Sequence, residues 1–172
     1  SISHPEQFRR MAASGISPSF LIAHVYWWGR VLRDNILGPE RPNGLHPVKT
    51  APDFGLRPSL HSDYNDSPIH PLRSASIAVL RTMQEGGDVL GPDLRVTPEQ
   101  ALRAVTVDAA WQTHQDDCGT LEVGTFADYA IASANPWTTD AAAWPDITFR
   151  ETRIGGAVAW QRPEIAARLG AS

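Results

Sequence analysis

The chain of 172 residues is poor in several residue types that would otherwise narrow its function. It has one cysteine, Cys118, which cannot close an internal disulfide and so fits a reducing compartment. It has one lysine, Lys49, and its other formal cations are arginines. The net charge of −4 leaves no basic excess of the kind that nucleic-acid binding needs. No run of 18 apolar residues exists, so no segment of this sequence is expected to span a membrane. The opening SISHPEQFRR has no apolar core of a signal peptide, and a cytoplasmic location is the expectation. The sequence also lacks a G-x-S-x-G elbow, a G-x-G-x-x-G turn and a P-loop. Cys118 follows Asp116-Asp117, and neighbouring carboxylates raise a thiol's pKa, which argues against a nucleophile.

What is present is globular in composition, 42% hydrophobic and 20% charged. The length suits one domain, or one and a half small ones, and falls short of the roughly 200–250 residues of a closed β/α barrel. Ser3 and Glu6 read as a capping box opening a helix over 4–14, with Gly15 as its stop. The apolar run from Pro18 to His24 reads as a buried strand. Residues 38–58, with five prolines and three glycines, read as loop with a turn or two of helix at Val48–Phe54. Leu56–His61 reads as a second strand.

Leu72, Ala75, Ser76, Val79, Leu80 and Met83 repeat at helical spacing up to Gly86-Gly87. Thr97-Pro98-Glu99-Gln100 opens a further helix through Val105, and Thr106 caps another to about His114. Strands are expected at Tyr129–Ala132, Phe149–Ile154 and Ala157–Trp160, the last two joined by Gly155-Gly156. Residues 133–146 read as loop, and the tail after Arg162 as a short helix.

His24 and Asp63 each fall at the expected C-terminal end of a short buried strand. In parallel α/β folds that edge is where ligands bind. An imidazole and a carboxylate suit a divalent ion. Equally, His24 can be a satisfied buried histidine and Asp63 a turn cap. Tyr26, Trp27 and Trp28 follow His24 and would either wall an apolar pocket or pack beneath a loop. His4, His46 and His70 adjoin prolines and are expected at the surface.

The ordered series of Pro18–Gly29, Leu37–Arg41, Asp53–Asp63, Thr97–Thr106, Gly119–Tyr129 and Gly155–Val158 resembles the C-terminal half of a metal-dependent amidohydrolase. The group is amidohydrolase 3, which includes N-substituted formamide deformylases. The resemblance implies an α/β fold: the C-terminal portion of a (β/α)8 barrel plus strands of a small β-sandwich domain. Residues 1–117 would carry barrel strands six to eight and their helices, 118–162 the returning strands of the small domain, and 163–172 a tail. It implies that His24 is a metal ligand ending the sixth strand. Asp63, ending the eighth, would touch the metal and move the proton of the attacking water. Tyr26, Trp27, Trp28 and Tyr64 would line the pocket of a small amide-type substrate. The cofactor would be a divalent metal, zinc first, as one or two ions in the complete enzyme.

The family's His-x-His and its fourth- and fifth-strand ligands have no counterpart here. Metal binding by this chain alone is therefore expected to be weak or absent, and the chain alone inactive. The seventh strand must be short, because the 39 residues between His24 and Asp63 are tight for two β/α units. The alternative reading is a non-catalytic half-barrel module that self-associates or pairs with a separate N-terminal half.

Overall fold

The computed structural model describes residues 2–164. The first helix, α1 (Pro5–Ala13), is capped by His4 rather than Ser3, and its backbone amide is received by Gln7 Oε1 at 2.8 Å. Pro5 takes the first helical position, where a missing N–H costs nothing. Phe8 is fully buried and docks the helix onto the core.

The expected first strand is much shorter than its apolar run. Only Ser19–Phe20 (β1) is extended, and the chain turns helical at Ile22. His24 therefore lies in the first turn of α2 (Ala23–Trp27), four residues beyond the strand. A short α3 (Gly29–Val31) and a π-turn at Leu32–Ile36 follow. A Cβ on Gly29 would stand 2.8 Å from Met83 Cγ, so a larger residue here would force the Met83 side chain to shift.

Between Phe20 and Ser59 no strand lies among the described residues. The segment is built of 3-10 turns at Arg41–Gly44 and Ala51–Phe54. Its prolines lack ladder donors and stop any seventh strand from forming. β2 (Ser59–Leu60) pairs directly and in parallel with β1, Ser19 against Ser59 and Phe20 against Leu60. Where the resemblance implies three successive barrel strands, the described residues here hold two strands, hydrogen-bonded side by side.

The helix expected up to Gly86 ends earlier: α4 runs Pro71–Leu80 and stops at Arg81, whose φ of 54° is left-handed. The reason is tertiary. Arg81 is fully buried, and its guanidinium donates to the carbonyls of Leu90, Leu45 and His46 at 2.7, 2.7 and 3.4 Å. The helix gives way so that this side chain reaches three carbonyls on two separate segments, Leu45–His46 and Leu90.

Helix α5 (Pro98–Ala104) has the expected Thr97–Gln100 capping box. In α6 (Val107–Gln112), the Thr106 hydroxyl donates back to Leu102 O instead of capping. Helix α6 fastens the two parallel strands: Gln112 Nε2 donates to Ser17 O at 2.7 Å, and Gln112 Oε1 receives Ser59 Oγ. Arg57 pairs with Asp108 at 2.8 Å and lies over the Trp111 ring.

The second sheet follows the expected boundaries closely, as β3 (Tyr129–Ala132), β4 (Phe149–Ile154) and β5 (Ala157–Gln161). It is antiparallel in the order β3-β4-β5. The stretch expected as loop contains a 3-10 helix at Ala141–Asp146. Its Trp144 enters the core that Phe8, Ile22 and Ala75 share. Trp144 satisfies its indole N–H on Pro136 and Thr139 carbonyls, as a buried indole must. The expected final helix falls mostly on 165–172, outside the described residues. No helix among the described residues is long and apolar enough to cross a membrane.

Candidate functional site at the end of the parallel pair

Parallel pairing sends both chains off the same edge of the two-stranded sheet. After β1 the chain reaches His24 within four residues; after β2 it enters the turn His61–Ser67. His61 N bonds Phe20 O at 3.0 Å and extends the ladder by one rung. The turn then closes on itself, with Asp66 N on Asp63 O at 2.5 Å and Ser67 Oγ on Ser62 O at 2.5 Å. Asp63 takes a left-handed φ of 51°, which aspartate tolerates better than most residues. The turn thus presents two carboxylates.

The closer of these to His24 is Asp66. His24 Nε2 stands 3.8 Å from Asp66 Oδ2, with both side chains about one-third exposed. Asp63 is exposed, and its charge reaches His24 at longer range. Burial pushes the His24 pKa below its ordinary value, and the Asp66 charge opposes that shift. Burial thus favours the neutral imidazole, the form that can ligate a cation.

The other nitrogen of the ring meets a residue expected at the surface. His46 is 1% exposed, with Nε2 at 3.3 Å from His24 Nδ1. It adopts a φ of 49°, a conformation the sequence does not announce. Burial pushes its pKa down to about 3, so it too is neutral. Its Nδ1 is buried with no partner. His70, also expected at the surface, is half-buried: Nδ1 accepts from Arg73 N at the start of α4, and Nε2 faces Pro145 O at 3.0 Å. Of those three histidines, only His4 is exposed as expected.

The aromatic residues separate. Trp28 lines an open depression of about 350 Å³ together with His24, Val31, Leu32, Ile36 and Asp66. Tyr26 and Trp27 meet edge to face at 4.8 Å, and Tyr26 packs against the core. Tyr64 lines a neighbouring depression with His61, Ile69 and His70. So the structure brings Trp28 to His24, and not Tyr26, Trp27 or Tyr64. Sequence reasoning missed Asp66 and His46. A signal for Asp66 existed in its place three residues after Asp63 in a turn-forming stretch; none existed for His46.

The donor chemistry fits a divalent ion, but the donor number does not. No cluster of three or more His, Cys, Asp or Glu residues arranged to hold a metal occurs among the described residues. His24 with Asp63 or Asp66 would be part of a centre, and other donors must complete it. Cys118 contributes nothing: burial, then Asp128 and Asp117, push its thiol pKa up.

Comparison with known proteins finds relatives among hydrolases. The chain is 28% identical over 167 residues to the N-substituted formamide deformylase of Arthrobacter pascens, a match covering 94% of this chain and 30% of that protein. An uncharacterised metal-dependent hydrolase of Pyrococcus furiosus matches in structure with a TM-score of 0.61 at 25% identity, over 74% of this chain and 25% of that one. An atrazine chlorohydrolase variant of Arthrobacter aurescens, solved with zinc and atraton, matches at 0.61 and 20% identity, over 99% of this chain and 38% of that one. The chain therefore spans about a third of the length of these proteins. The amidohydrolase family's sequence model matches residues 1–159, and the chain belongs to that family.

Proposed function

We propose that this chain supplies the C-terminal part of the catalytic face of a metal-dependent hydrolase that cleaves amide-type C–N bonds in a small molecule. The observation that carries the reading is the convergence of a neutral His24 with the Asp63–Asp66 turn at one edge of the parallel strands. The similarity to a formamide deformylase supports the substrate class, and the metal-dependent neighbours support a divalent ion, with zinc the first choice.

His24 would hold the ion through Nε2, together with a carboxylate of the turn. When bound, the ion would supply hydroxide at neutral pH by lowering the pKa of water to about 7. Asp63 would take the water's proton and return it to the leaving amine. Asp63 is exposed and free of any ion pair in the described structure, so its carboxylate is available for that exchange. Trp28, Leu32 and Ile36 would seat the apolar part of the substrate beside His24.

The test is amine release from an N-substituted formamide, with zinc added, by the native protein that carries this sequence. Asp63→Asn is expected to reduce turnover at least ~100-fold, and His24→Ala to abolish it. Full turnover in Asp63→Asn removes Asp63 from the mechanism and leaves Asp66 as the base to examine. The isolated 172-residue chain is expected to be inactive, because its donors are too few.

A second reading has its own observation. Ile154, Val158 and Trp160 on β4 and β5 are exposed, and so is Ile131 on β3. Apolar residues gathered on one small sheet suit coverage by another chain, a second copy or a separate N-terminal half. Light scattering decides: a stable monomer in solution counts against obligate pairing.

A further inference from the structure

We propose that His46 is a positioning residue that holds the His24 ring and dictates which of its nitrogens carries the proton. The proposal rests on the reading of His24 as a ligand and adds to it a residue nothing else assigns. His46 is fixed from several sides. Arg81 donates to its carbonyl and to that of Leu45, and the Phe20 ring meets its imidazole edge-on with centroids 6.1 Å apart. Its Nε2 has one partner, His24 Nδ1, at 3.3 Å.

Two neutral rings can share that contact in two ways. In the first, His46 Nε2–H donates to His24 Nδ1. His24 then carries its proton on Nε2, facing the Asp66 carboxylate at 3.8 Å, and His46 Nδ1 is a bare lone pair. In the second, His24 Nδ1–H donates to His46 Nε2. His46 must then carry its proton on Nδ1, a buried N–H with no acceptor, and the His24 lone pair faces a carboxylate. Orphaned buried N–H groups are rare because their cost is high. The first arrangement is the one the metal-free fold favours.

For His24 Nε2 to receive a cation, both rings must exchange tautomers, each keeping one proton. A histidine at position 46 permits this, because imidazole can either donate or accept. A carbonyl could only accept and an ammonium only donate. His24 Nδ1 keeps a partner in both states, and the ring does not turn away when the cation arrives.

The experiment is ring nitrogen NMR on the chain labelled with 15N-histidine, without metal and then with zinc. Metal-free His24 is expected as a single Nε2–H tautomer, and Asp66→Asn is expected to keep it. His46→Asn tolerates the left-handed backbone but is too short to reach His24, and is expected to give a mixture. His46→Gln, whose amide can stand near the lost Nε2, is expected to restore one form. A single unchanged tautomer in His46→Asn overturns the proposal. Should that variant not fold, the wild-type chain decides: a proton on Nδ1 of metal-free His24 overturns it. Zinc is expected to move His24 to the Nδ1–H form. Zinc that binds the chain and leaves His24 unmoved contradicts its reading as a ligand, while the tautomer result in the metal-free chain stands separately.

Discussion

Arg81 Nη2 donates to the Leu45 carbonyl at 2.7 Å, 36 residues away in sequence and inside the core. Among the described residues no carboxylate accompanies the buried guanidinium, and three carbonyls hold it instead. Hydrogen bonds to a charged group contribute about 1.5–3 kcal/mol each, and leaving their partners unpaired adds a further penalty. Arg81→Leu is expected to cost at least ~3 kcal/mol, read as a fall in the urea midpoint at unchanged slope. Arg81→Lys keeps the charge but not the fork, and is expected to lose part of that amount.

Burial holds the His46 pKa at about 3, against an ordinary 6.5. Between those values the unfolded chain takes up a proton that the folded chain refuses. Stability present above pH 6.5 is therefore lost as the pH falls toward 3, by up to about 1.4 kcal/mol per pH unit. Carboxylates titrate over part of the same window, so the variant is the control. Denaturation of His46→Asn between pH 6.5 and 4 is expected to show a flatter decline than wild type.

Gly91 sits at a φ of 61°, and a Cβ there would lie 2.3 Å from the Asn43 carbonyl oxygen. That backbone cannot yield easily, because the preceding Leu90 carbonyl receives Arg81. Gly91→Ala is expected to destabilise by ~2 kcal/mol or more, from left-handed strain and the clash together. A thermal midpoint within a degree of wild type would contradict the close approach.

The Cys118 thiol, with its pKa raised by burial and by Asp128 and Asp117, is expected to alkylate more slowly than free cysteine at pH 8. Faster alkylation than the free amino acid would reverse this reading. Its sulfur, 3.8 Å from Asp128 Oδ2, would then sit in a different field.

Local rules made some elements legible in the sequence. The Thr97 capping box and the Gly155-Gly156 turn are set by residues three or fewer apart, and both formed where expected. The parallel strands were legible as a pair of apolar runs but not in length. What ends β1 at Phe20 is the turn into α2, and what stops a strand before Ser59 is a spread of prolines. The site was half legible. His24 could be singled out because it closes an apolar run, and the carboxylates because they follow another. His46 could not: it is buried where Arg81 reaches across from the end of α4 to its carbonyl, a contact with no local signature. The same contact explains why α4 stops at Leu80 instead of continuing toward Gly86.

The central claim is that this chain holds part of a metal centre, anchored on His24. Calorimetric titration of the metal-free chain with zinc tests it most directly. A complete structural zinc site contributes on the order of 10–16 kcal/mol. Two donors should fall well short of that, with a dissociation constant weaker than about 1 μM. The account predicts such weak binding, lost in His24→Ala. Tight one-to-one binding that persists in His24→Ala would contradict it.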